Sequence, residues 1–445
     1  MRLIATLLVS WILGAMMGFE TVEAQQQKWV TSWAASVQGP YPTGNPSAQP
    51  EQKFAFPMPS AGANDQSFRL IVRPTIWGRQ ARLRFSNALG TRPVTFEGVY
   101  AGLQLGGAAI LKGTNRPVTF GAKASVTIPP GGMVWSDPLT LGVRDPNAPE
   151  LAGRKLAVSF HIAGESGPMT WHAKALQTSY VTAPTAGSKG SDEGEAAFPY
   201  PTASWFFLDA LDMRMPADSF AVVGFGDSIT DGTSSTMNGD DRWPDIVARR
   251  LYALYGNRIA VVNAGIGGNQ IAGPAEYEPA KPFPGGPSSK ARIDRDVLGL
   301  SGVAALIWLE GINDFSRNGN ASVEKVTDTL KEIASHIRSK RPDIRLIGAT
   351  VTSALGSTNA NHGFPEQDEK RKALNTFIRS GKLFDDVVDF DTATLEPASG
   401  GIKPEFVPDS TVGHAGDKLH PNRVGYLAMG MAVELGLLKP KAVAR

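Results

Sequence analysis

The stretch Phe220-Ala221-Val222-Val223-Gly224-Phe225-Gly226-Asp227-Ser228-Ile229-Thr230-Asp231-Gly232 decides how the second half of the chain is read. Its opening residues form a short apolar run, the pattern of a strand buried on both faces of a parallel sheet. A glycine-flanked polar turn follows and carries Ser228. A serine on such a strand-to-helix turn exposes its hydroxyl, and nearby backbone N–H groups can face developing negative charge. The turn can equally satisfy the serine through its own backbone. No G-x-S-x-G surrounds Ser228, and a G-x-G-x-x-G dinucleotide pattern fails at Ile229.

Working outward, strands and helices alternate. Trp243 to Tyr255 has helical spacing, with Pro244 in the first turn and Gly256 at the stop. Ile259-Ala260-Val261-Val262-Asn263 and Val303 to Leu309 read as strands. Val323 to Arg338 is an amphipathic helix, followed by a strand from Ile344 to Thr350. Gln367 to Ser380 is helical, Val387-Val388-Asp389 extended, and Val424 to Leu437 a closing helix that Pro421 fits at its first position. This alternation predicts an α/β fold with a mostly parallel sheet, whose ligands sit at the carboxyl ends of the strands.

Polar signals fall at those ends. Asn263-Ala264-Gly265-Ile266-Gly267-Gly268-Asn269-Gln270 is a loop whose backbone can approach a ligand closely. Gly311-Ile312-Asn313-Asp314 follows an apolar strand, and an Asn amide there is an uncharged, directional donor. In Asp417-Lys418-Leu419-His420-Pro421 an aspartate three residues before a histidine can hold the imidazole N–H and fix its tautomer. Each signal alone also reads as ordinary turn or cap chemistry. A metal pair from His414, Asp417 and His420 lacks an evident further ligand, so no metal is expected. Arg242, Arg292 and Arg295 read as surface or sheet-edge ion pairs, with binding of an anionic substrate group as the other reading. Trp243 and Trp308 read as core, with sugar stacking as the other. Asp314 reads as a loop buttress, and Glu310 as orienting the Asn block or lining the mouth.

Taken together, from Phe220 to Leu437, these blocks stand in the order Ser, Gly, Asn, Asp/His, and this half resembles the SGNH or GDSL-type hydrolases. The resemblance implies a three-layer α/β/α sandwich with a mostly parallel, flavodoxin-like five-stranded sheet. It implies Ser228 as nucleophile, His420 as general base and Asp417 as its orienter, with no cofactor. The implied oxyanion donors are the N–H of Ser228, Gly268 and the Asn313 amide. The family glycine falls five residues after Asn263, at Gly268 rather than the adjacent Gly267.

The first half has a different period. Ser67 to Arg73, Ala81 to Ser86, Pro93 to Tyr100, Val118 to Phe120, Ala124 to Ile128 and Lys155 to Ile162 are short runs, mostly alternating, separated by Gly, Pro and Asn. They predict an all-β sandwich or jelly roll. Thr31-Ser32-Trp33-Ala34-Ala35-Ser36 with such a domain resembles larger secreted two-domain members of the family. At the start, Arg2, the apolar run from Leu3 to Met17 and Val22-Glu23-Ala24 read as a signal peptide cleaved near Ala24, for export to the periplasm or exterior. The expected division is 1–24 signal peptide, 25–183 β-domain, 184–218 linker and connecting segment (with Trp205 to Met213 open to being a further strand), and 219–445 hydrolase domain.

Composition removes several classes. The 445 residues hold 44 Lys+Arg and 42 Asp+Glu, a formal charge of +2, so nucleic acid is not an expected partner. Cysteine is absent, which excludes disulfides, thiolate catalysis and Cys-ligated metal. The expected partner is an ester substrate, an acetylated polysaccharide being one candidate. The expected function is removal of short acyl groups from carbohydrate or small esters. The rivals are a lipase or arylesterase with a longer acyl preference, and a glycan-binding protein with an inactive hydrolase half.

Overall fold

The computed structural model describes residues 26–439. The signal-peptide reading falls outside them. Among the described residues no helix is long and apolar enough to cross a membrane.

The sheet of the second half is parallel throughout. Its spatial order is Ile259–Gly265, Phe220–Gly226, Val303–Leu309, Arg345–Ala349, Asp386–Val388. In chain order this is 2-1-3-4-5, the flavodoxin-like winding expected from the resemblance. Every residue of Phe220–Gly226 and Val303–Leu309 is buried, which explains their unbroken apolar runs. Gly226 pairs with Gly265 on one side and Leu309 on the other, so three strands end together. Their polar continuations therefore share one edge. Helices Trp243–Tyr255 and Arg423–Ala432 pack together, as do Val323–Lys340 and Pro365–Arg379.

The closing helix is shorter than its sequence pattern. It begins at Arg423, because Asn422 accepts from the N–H of Val424 and Gly425 and caps it. Pro421 thus lies before the cap, and Val433 is already extended.

The first half is built of antiparallel sheets. Gln27–Ala34, Leu208–Pro216, Gln80–Ser86 and Leu139–Thr140 form one sheet, and Asn64–Val72, Leu156–Glu165 and Val94–Gly106 the centre of another. Between them Phe85 meets Phe96 and Phe160 at centroid distances of 5.2 and 5.3 Å. This is the apolar interior that the alternating pattern implied. Two local expectations change. Val118 to Phe120 is outside the ladders, whose short rung is Arg116–Pro117. The segment 184–218 carries the strands Tyr200–Thr202, Trp205–Phe206 and Leu208–Pro216, so its second half is woven into the β-half. Its Gly- and Ser-rich part is tied down by buried Arg69, which donates to the carbonyls of Asp192 and Gly194.

The two halves are joined by buried polar contacts. Thr31 N–H donates to Ser301 O at 2.9 Å, and Asn257 exchanges two hydrogen bonds of 2.7 Å with the Trp77 backbone.

Candidate active site

Ser228 opens a one-turn helix, Ser228–Asp231, directly after its strand. Asp227 caps that turn, its side chain accepting from Ile229 N–H at 2.9 Å. The Ser228 N–H is left with no acceptor among the described residues. Gly232 ends the turn at φ 103°, and a Cβ there would meet the Arg242 side chain at 2.5 Å, so the chain needs glycine.

His420 reaches the serine from the far end of the sequence. Its Nε2 lies 2.8 Å from Ser228 Oγ, and its Nδ1 lies 2.7 Å from Asp417 Oδ2. Asp417 Oδ1 also accepts from the N–H of His420 and Leu419, at 2.9 and 3.0 Å. Burial pushes the Asp417 carboxyl up, but the His420 hydrogen bond and charge, helped by these two N–H groups, hold it well below the usual carboxylate range. The ionised carboxylate requires Nδ1 to be the donor, so Nε2 of the neutral ring accepts from the serine hydroxyl. Lys418 sits between them at φ 57°, the tight turn that lets the aspartate fold back.

The glycine loop supplies a second free donor. Gly267 N–H is committed to Asp231 Oδ2 at 2.9 Å. Gly268, at φ 82°, lines the cleft, and its N–H has no acceptor among the described residues. Asn313 lines the same cleft and donates through Nδ2 to Asn269 O at 3.0 Å, which orients its amide. Ser228, Gly268, Asn313 and His420 thus surround one cleft of about 370 Å³.

Beneath the loop lie buried charges. Asp314 accepts from the N–H of Ile271 and Ala272 at 2.9 Å each, the buttress expected of it. Burial pushes its carboxyl up to about 7, against those two bonds. Glu310 is raised by burial too, and holds Trp308 Nε1 at 2.9 Å and the Ser289 hydroxyl. It orients core groups and does not line the cleft.

Arg292 corrects its surface reading. It is fully buried, stacks 3.8 Å from the Phe225 centroid, and donates to Gly226 O, Ala264 O and Asn269 Oδ1 at 2.8, 2.8 and 2.7 Å. It therefore ties two strand ends to the glycine loop. Arg295 pairs with buried Asp296, and Arg242 donates to Ala175 O and lies 3.8 Å from Asp245, so none of the three is a free anion site. Trp243 and Trp308 are buried core residues, as the core reading held.

Sequence reasoning missed the cleft residues that come from elsewhere. Asn45 and Lys174 arrive from the first half, and His362 from a loop beyond the fourth strand of the sheet. Asn45 Nδ2 donates to Gly267 O at 2.8 Å. Lys174 is 4% exposed, and its Nζ donates to Thr233 Oγ1 at 2.6 Å, on the turn after Ser228. Burial lowers its ammonium below the ordinary lysine value, opposed by the carboxylates of Asp231, Asp417 and Asp227. A lone lysine and a lone asparagine among β-strands carry no motif by which to find them.

Residues 225–428 match the family described as GDSL-like Lipase/Acylhydrolase. No curated protein matches the chain. Solved structures similar to it include the lipase/acylhydrolase from Enterococcus faecalis, at 24% identity and a TM-score of 0.36, covering 50% of this chain and 100% of that one. Another is Est24, a carbohydrate acetylesterase from Sinorhizobium meliloti, at 13% identity and a TM-score of 0.36, covering 48% of this chain and 96% of that one. Likenesses at this level carry nothing about substrate. The family match falls on the strand, turn and loops that build the cleft: residues 225–428 of this chain form a GDSL-like lipase/acylhydrolase domain, the domain of a carboxylic ester hydrolase.

Proposed function

We propose that the chain is an exported serine esterase that removes short acyl groups, acetyl foremost, from carbohydrate. The observation that carries this is the unbroken line Asp417–His420–Ser228, with contacts of 2.7 and 2.8 Å, beside two unpaired backbone donors. His420 Nε2 takes the Ser228 proton as Oγ attacks the ester carbonyl carbon. The carbonyl π electrons move onto oxygen, where the N–H of Ser228 and Gly268 and the Asn313 amide receive the charge. Asp417 stabilises the imidazolium. The imidazolium then gives its proton to the departing alkoxide, leaving an acyl-serine. Water, deprotonated by His420, attacks the acyl carbon, and collapse releases the acid and restores Ser228. No cofactor is needed.

The short acyl preference is supported by the walls. Apolar side chains near the serine are few, Leu419 and Phe283 among them, whereas Gln270, Asn318, Asn359 and Asn361 present carboxamides. Carboxamides suit sugar hydroxyls, and a long acyl chain would leave them unpaired. The test is hydrolysis of p-nitrophenyl acetate, butyrate and octanoate by the mature protein beside Ser228→Ala. Acetate should be cleaved best and the variant should be inactive. Rates that climb to octanoate would instead support a lipase. Glycan binding without turnover of any ester would support an inactive hydrolase half.

A further inference from the structure

Lys174 is the one lysine, arginine or carboxylate side chain on the cleft wall among the described residues. Burial, with the neighbouring His420, lowers His362 to about 4, so that it is neutral near pH 7. No aspartate or glutamate lines the cleft, among the described residues. The ammonium is buried and makes one hydrogen bond, to the neutral Thr233 hydroxyl, and no carboxylate lies within ion-pair distance of it among the described residues. An ammonium has three donors, so two remain open. Leaving them open in a buried site is costly unless a ligand oxygen arrives. Lys174 and Ser228 line the same cleft. A Cβ on Gly267 would lie 3.0 Å from Lys174 Nζ, which sets the amine beside the loop that presents the Gly268 N–H.

We propose that Lys174, contributed by the β-half, makes the cleft selective for esters that carry a carboxylate close to the scissile bond. The proposal rests on Ser228 acting as an esterase nucleophile. The carboxylate can sit on the alcohol side, as in an acetylated acidic sugar, or on the acyl side, as in the half-ester of a dicarboxylic acid. Both offer the same oxygen pair to the amine.

The test compares two matched pairs by acid release in a pH-stat: acetylated glucuronic acid against acetylated glucose, and monoethyl succinate against ethyl butyrate. The wild type should favour the acidic member of one pair in kcat/KM by about tenfold or more. The favoured pair identifies the side that carries the charge. Lys174→Met should abolish that ratio and Lys174→Arg should keep part of it. No preference in either pair overturns the proposal. So does a preference that survives Lys174→Met, or an equal loss on both members, which would mark Lys174 as structural. Should Lys174→Met fail to fold, wild-type inhibition decides: glucuronate or succinate must compete at least about tenfold better than glucose or butanol. Ser228-dependent cleavage of p-nitrophenyl acetate without any carboxylate preference sinks this proposal alone. Cleavage of no ester sinks the esterase reading as well.

Discussion

Gly267 donates its N–H to Asp231 Oδ2 at 2.9 Å. Asp231 belongs to the one-turn helix that begins at Ser228, so the serine turn and the glycine loop are locked to each other. The bond uses up one of two adjacent glycine donors and leaves the next, the N–H of cleft-lining Gly268, without an acceptor among the described residues. His172 of the β-half approaches the other oxygen of the same aspartate at 3.2 Å. The geometry of the serine and of a proposed oxyanion donor is thus fixed by one buried carboxylate that does not line the cleft.

Asn313→Ala removes an amide already oriented by its bond to Asn269 O. An oxyanion donor acts mainly in the transition state, so kcat should fall roughly 100- to 1,000-fold with KM little changed. Steady-state kinetics on p-nitrophenyl acetate checks this. A folded variant with full turnover would remove Asn313 from the mechanism.

Asp417→Asn keeps the shape of the loop but lets the side chain offer an N–H to His420 Nδ1. The ring would then hold its proton on Nε2, facing the serine, and could not accept from it. Turnover should drop about 1,000- to 10,000-fold. The measurement is kcat together with a thermal melt, and a loss of activity without loss of the fold is the expected pair of results.

His362 carries a pH dependence of stability. Its Nδ1 accepts from Gln367 Nε2 at 2.7 Å, a bond that needs the neutral ring. Burial first, and then the nearby His420, lower it from 6.5 to about 4, with Asp417 opposing. The folded state therefore binds this proton less readily than the unfolded chain. The contribution is complete above pH 6.5 and is lost as pH falls toward 4. Comparing the wild type with His362→Gln by urea unfolding, the difference in stability should shrink by about 2 kcal/mol between pH 7 and pH 4.5. A difference independent of pH would show that the ring is protonated equally in both states.

Arg292→Met removes a buried cation that serves Gly226 O, Ala264 O, Asn269 Oδ1 and Asp296. Asp296 keeps Arg295, but the two strand-end carbonyls lose a donor. A loss of about 3 kcal/mol is expected in urea unfolding. Activity should fall as well, because Asn269 O orients Asn313.

The sequence by itself determined the α/β half almost strand by strand. Val303 to Leu309 and Trp243 to Tyr255 stand in the structure with the limits read from their periodicity. Strands buried on both faces and helices with one apolar stripe leave a local signature, and the motifs at the strand ends inherit their placement from it. Boundaries set by caps were less legible, as Asn422 shows, because a side-chain oxygen and two N–H groups decide them. Only the tertiary structure decided what the β-half does to the cleft. Lys174 and Asn45 reach it by the docking of one half on the other, a contact between residues far apart in the chain and without periodicity. Tertiary structure also separated Gly267 from Gly268, since an N–H is free or spent only according to what folds against it. It buried Arg292 as well, whose charge on paper reads as surface, because its acceptors, Gly226 O, Ala264 O, Asn269 Oδ1 and Asp296, converge there only after the strands align.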